Sequence, residues 1–98
     1  MHAFAHFFTG ALLCNALPHL AAGLQGQAFP TPFAKPRGVG LSSALINVLW
    51  GFANLLAGFS LLAAYPVQVS LSPEFGLTIA GALLLGIYLA VHFSKARR

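Results

Sequence analysis

Side chains able to exchange hydrogen bonds are sparse in this chain, and several sit inside stretches that are otherwise apolar. Asn15 and His19 lie in one such stretch, Asn47, Trp50 and Asn54 in a second, and His92 in a third. On a helix, Asn15 and His19 are four apart and share a face with Ala11 and Gly23. Asn47 and Asn54 are seven apart, about 20° from alignment at 100° per residue, with Ser43 and Trp50 on the same stripe. Two chemistries fit this set. It can clamp two helices together by hydrogen bonds, or it can line a pocket for a ligand, ion or cofactor centred on His19.

The remaining reactive groups are few. His2 and His6, four apart, could chelate a metal at a surface, but two ligands do not close a site and no Cys, Asp or Glu accompanies them. No metal site is therefore expected. His19 or His92 could serve as an axial ligand to haem or a pigment, although no Cys-x-x-Cys-His attachment motif is present. Cys14 reads as a packing residue, since apolar burial suppresses the thiolate. The chain has no Asp and a single acid, Glu74, so no histidine gains a carboxylate to orient it. General acid–base catalysis and metal-assisted hydrolysis lack their parts, and the chain is expected not to be an enzyme.

The elements that must position these groups follow from composition. Of 98 residues, 58% are hydrophobic and 6% charged, with a mean hydropathy of +0.82. That is far too little charge to coat an aqueous surface, so lipid is the expected solvent. A net charge of +4 comes without a basic stripe interleaved with aromatics, which argues against nucleic acid.

Three apolar stretches, about residues 3–24, 43–65 and 73–93, each have roughly the 20 residues needed to cross the hydrocarbon as a helix. The expected fold is all-α, a single integral membrane domain of three transmembrane helices. Ser42 or Ser43 can cap the second helix, which should stop before Pro66. Ser72, Pro73 and Glu74 form a start signal for the third. Pro18 should kink or break the first, because it removes the donor to the Cys14 carbonyl. A cleaved leader is the rival reading of that first stretch. It lacks the Lys or Arg of an n-region, though a small-residue site exists at Ala21-Ala22-Gly23.

Between the first two spans, residues 25–42 are rich in Pro and Gly and read as a loop along the membrane interface. Phe29, Phe33, Lys35 and Arg37 are its candidates for contact with a partner or lipid. This loop and the C-terminus share one side and hold all the cations, Lys35, Arg37, Lys95, Arg97 and Arg98, which places that side in the cytoplasm and the N-terminus outside.

Depth can be read from helical rise. Asn15 and Asn54 fall within about 3 Å of the midplane, and His19 and Asn47 about 8 to 10 Å toward the inside. Antiparallel neighbours would bring Asn15 level with Asn54, and His19 level with Asn47 and Trp50. Small residues at Gly10 and Cys14, at Asn54 and Gly58, and at Ala82, Gly86 and Ala90 mark close-packing rows.

The run from Asn15 to Asn54, through Pro18-His19, Gly23, Gly26, Phe29-Pro30, Pro32-Phe33, Pro36, Gly40, Ser42-Ser43, Asn47 and Trp50-Gly51, resembles a pattern in small uncharacterised bacterial multi-pass membrane proteins. The resemblance implies a bacterial origin and no activity. By elimination, the expected function is a non-enzymatic accessory or assembly subunit of a larger bacterial inner-membrane complex, partnered by lipid, other subunits or copies of itself. One alternative is an oligomeric pore or small-molecule transporter lined by Ser43, Asn47 and Asn54. Another is a membrane subunit binding haem or pigment through histidine.

Overall fold

A computed structural model describes residues 2–37 and 39–96. Three helices dominate: α1 (Ala3–Leu24), α2 (Ala44–Ala64) and α3 (Pro73–Ala96). All three are long and apolar enough to cross a membrane. Arg97 and Arg98, which contribute to the charge asymmetry, lie outside the described residues, as does Gly38.

Local signals set the helix ends. The Ser43 hydroxyl accepts from the Ile46 amide at 3.2 Å and starts α2. Ser72 does the same for Phe75 at 3.2 Å and starts α3. Glu74 in the first turn and Lys95 in the last complement the α3 dipole, and the helix runs past the expected Phe93 to Ala96. At the end of α1, Gly26 adopts a φ of 74°, and the Gly26 and Gln27 amides bond back to Gly23 and Ala22. This is the paired closure that a left-handed glycine permits.

Helix α1 is not broken at Pro18. It continues for 22 residues, about 33 Å, so it needs no oblique finish to span the apolar layer. Proline removes one hydrogen bond, but in apolar surroundings every other backbone group still needs its intrahelical partner, and helix remains the least costly way to supply it.

The helices form an open layer with α1 in the middle. Helix α2 runs antiparallel to α1, so Gly58 meets Leu13, Gly51 meets Leu20 and Gly23 meets Val48. Helix α3 runs parallel to α1, with Gly81 against Phe7 and Gly10 against Thr78 and Ala82. Helices α2 and α3 barely touch one another. Burial follows this order. In α2 only the stripe Asn47, Gly51, Asn54 and Gly58 is buried, and in α3 only Gly81. The outer faces carry large apolar side chains such as Leu49, Phe52, Leu56, Leu83 and Ile87.

The connection between α1 and α2 is more ordered than a plain loop. Two-residue strands β1 (Phe29–Pro30) and β2 (Leu41–Ser42) pair antiparallel, Phe29 opposite Ser42. Pro30 is tolerated because so short a ladder is all edge.

Candidate functional site

Asn47 is the junction of the molecule. It is fully buried, and its amide nitrogen donates to the carbonyls of Phe29 at 2.9 Å, Ser43 at 3.0 Å and Ser42 at 3.2 Å. The side-chain oxygen therefore faces His19, whose Nδ1 lies 2.8 Å away. An amide oxygen only accepts, so Nδ1 of His19 carries the hydrogen, and in the neutral ring Nε2 then holds a bare lone pair. Nε2 has no hydrogen-bond partner among the described residues. One side chain thus ties α1, the start of α2 and the β1 strand together.

A second bond lies deeper. Asn15 Nδ2 donates to Asn54 Oδ1 at 3.0 Å, and Asn54 Nδ2 donates to the Trp50 carbonyl at 2.9 Å. The structure thus brings Asn15 to Asn54 and His19 to Asn47. Trp50 joins through its ring, edge-on to the His19 ring at 6.5 Å between centroids.

Around His19 the aromatic side chains form a chain of contacts across the whole end of the bundle. Phe29 packs edge-on to His19 at 5.5 Å and to Phe93 of α3 at 4.7 Å. Phe93 continues to His92 at 5.0 Å, which stacks on Tyr88 at 5.8 Å. On the other side, Trp50 meets Phe33 at 5.0 Å. His19 and His92 are therefore linked through the Phe29–Phe93 pair and do not face each other across a shared space.

The loop residues divide. Phe33, Lys35 and Arg37 are exposed, whereas Phe29 is 8% exposed and turned inward, where its carbonyl serves Asn47 and its ring serves His19. Thr31, also buried, bonds the Ser42 hydroxyl and accepts from the Phe33 amide at 3.2 Å. Phe33 then overhangs a groove of about 650 Å³ on the outer side of α2. Ser42 and Ser43 stand in its lining, with Ile46, Leu49, Trp50 and Ala53 along the helix.

His2 and His6 are not neighbours in function. His2 is exposed and packs on Tyr65 at 4.3 Å, while His6 is 4% exposed with an unpartnered Nδ1. Among the described residues, no group of three or more His, Cys, Asp or Glu could hold a metal. Trp50 Nε1 is buried and also lacks a partner.

Phe93, Thr31 and the inward role of Phe29 escape a reading of sequence pattern. Each gains its role from the fold of the 25–42 segment, and none stands out by type or spacing. No protein-family model, curated protein or solved structure matches the chain.

Proposed function

We propose that this chain is a non-enzymatic accessory or assembly subunit of a larger bacterial inner-membrane complex, with its N-terminus outside, its C-terminus in the cytoplasm and α1 bent at Pro18. The observation that supports it is the open layer: α2 and α3 each lean on α1 and hardly on each other. A three-helix membrane protein whose helices do not close on themselves offers lateral faces to further helices, and the exposed loop bearing Phe33, Lys35 and Arg37 adds a contact at the interface. Asn15, His19, Asn47 and Asn54 of the first two helices are engaged with each other and with the loop, which fits a scaffold. The same arrangement weakens the pore reading, because Asn47 and Asn54 turn onto α1 and not toward an open path.

Purification in mild detergent followed by native mass measurement tests the proposal. A homo-oligomer or a co-purifying membrane protein is the expected result, and a monodisperse lone monomer overturns it.

A second reading, histidine ligation of haem or a pigment, has one observation in its favour. His19 donates through Nδ1 to an amide oxygen and leaves Nε2 bare, the orientation in which an imidazole binds an axial position. The absorption spectrum of the same sample decides it. A visible band lost in His19→Ala supports ligation, and a colourless protein removes it.

A further inference from the structure

The groove on α2 has an architecture matched to one kind of molecule. Ile46, Leu49, Trp50 and Ala53 fall at i, i+3, i+4 and i+7, so they form a single stripe along α2. From Ser43 to Ala53 the helix rises about 15 Å. That is about half the hydrocarbon thickness of a bilayer, the depth of one leaflet. The hydroxyl-bearing end, at Ser42 and Ser43, is the end where the helix meets the loop. The apolar end points toward the level of Asn54.

The loop that joins the hydroxyl end carries positive charge. Phe33 and Ser42 both line the groove, and the turn between them carries Lys35 and Arg37, both exposed. The backbone of that turn is folded tightly on itself, since a Cβ at Gly40 would collide with the Lys35 carbonyl. In sequence, Lys35 stands two residues after Phe33 and Arg37 five before Ser42, both of them groove-lining positions. The segment from Gln25 to Ser42 contains no acid, and the one acid in the chain, Glu74, stands at the start of α3 at the opposite end of the bundle. Nothing in the loop neutralises these charges.

We propose that this groove binds one anionic phospholipid. Its phosphate sits at the mouth formed by Lys35, Arg37 and the Ser42 and Ser43 hydroxyls. One acyl chain lies along Ile46, Leu49, Trp50 and Ala53 under the Phe33 ring. The site does not depend on whether the chain belongs to a larger complex.

Trp50 is the only tryptophan, so it reports occupancy directly. The full-length protein is placed in phosphatidylcholine bilayers, and Trp50 quenching is followed as acyl-brominated phosphatidylglycerol or acyl-brominated phosphatidylcholine is introduced at equal mole fraction. Two cations beside one head group predict a preference for the anionic lipid of about thirtyfold. Lys35→Gln with Arg37→Gln should reduce the preference to near unity while leaving quenching by phosphatidylcholine in place. Ala53→Phe should reduce quenching by both lipids by filling the stripe. Lys95→Gln removes a charge from the same end of the bundle but away from the groove, and should leave most of the preference intact.

Equal quenching by the two lipids overturns the proposal. So does a Lys95→Gln loss as large as that of the loop variant, which would reduce the effect to general surface charge. Inorganic phosphate at millimolar concentration should not displace the lipid, and displacement would mean a phosphate site without a lipid groove.

Discussion

The two interfaces of α1 hold their neighbours by opposite means. Toward α2 the contact alternates Asn with Gly, and Asn47 and Asn54 each reach across to a polar side chain on α1. Toward α3 there is no such bond among the described residues, and the backbones come so close that a Cβ at Gly10 or Gly81 would overlap the carbonyl of Thr78 or Phe7. Helices apolar enough to span a membrane are held together there by two resources, close van der Waals packing and interhelical hydrogen bonds. This protein spends one on each side. The polar side also captures the loop, because Asn47 has donors left for it; the close-packed side has nothing to offer a third element.

The close-packed side should be the more brittle. In Gly10→Leu the new side chain begins inside the backbone of α3, which cannot give way, and a loss of about 3 kcal/mol or more is expected. Gly86→Cys provides the readout, since a Cβ at that position lies 3.6 Å from the Sγ of Cys14, the only native cysteine. Oxidation should crosslink α1 to α3 in Gly86→Cys and fail when Gly10→Leu is added. A crosslink that survives would mean that α3 is held by something other than its approach at Gly10.

Asn47→Leu should damage the other side by a comparable but smaller amount. It strands His19 Nδ1 and takes one donor away from the carbonyls of Phe29 and Ser42, at about 2 to 3 kcal/mol for a buried polar group left unmade. The effect should be local. Trypsin cleavage after Arg37 should accelerate as β1 comes away from α2, while the Cys14 crosslink to Gly86→Cys remains. Loss of both would show that the two interfaces are coupled through α1.

The polar interface was legible in the sequence for a physical reason. A polar group within a long apolar helix must find a partner, and helical rise alone says which residues are level, so Asn15 with Asn54 and His19 with Asn47 follow from counting. The α3 interface was not, because its signal is the absence of side chains. Glycine and alanine recur throughout the third span, and the row Ala82, Gly86 and Ala90 reads as well as any; yet the buried residue is Gly81, and Ala90 is exposed. The two-sided contact of α1 also erases its amphipathic pattern, since its buried residues lie on more than one face. Pro18 marks the one missing backbone donor inside α1, but it does not end the helix, because the other intrahelical bonds remain. In the loop, prolines marked the absence of helix correctly, but the inward turn of Phe29 depends on a carbonyl meeting Asn47, which no spacing encodes.

A gentler comparison separates a glycine that meets a side chain from one that meets backbone. A Cβ at Gly51 would fall 2.7 Å from the Leu20 Cγ, an atom that can move by a rotamer change, and its nearest backbone atom, the Leu20 nitrogen, is 3.1 Å away. Gly51→Ala should therefore cost about 1 kcal/mol in a reversible denaturation, against several for Gly81→Ala, where the Phe7 carbonyl is in the way. Equal costs would mean that α1 and α2 are as rigidly spaced as α1 and α3.

The smallest effect belongs to the mid-helix bond between Asn15 and Asn54 itself. Asn54 already satisfies part of its amide on the Trp50 carbonyl of its own helix, so its link to Asn15 is one bond in addition. Interhelical bonds of this kind average about 0.6 kcal/mol and reach about 1.7. A double-mutant cycle with Asn15→Leu and Asn54→Leu should return a coupling in that range, with the double variant less damaged than the sum of the singles because neither amide is left stranded. A coupling of zero would mean that the hairpin is held at its interfacial end alone, by Asn47 and the loop it captures, and that the deeper pair serves only to keep the two helices in register.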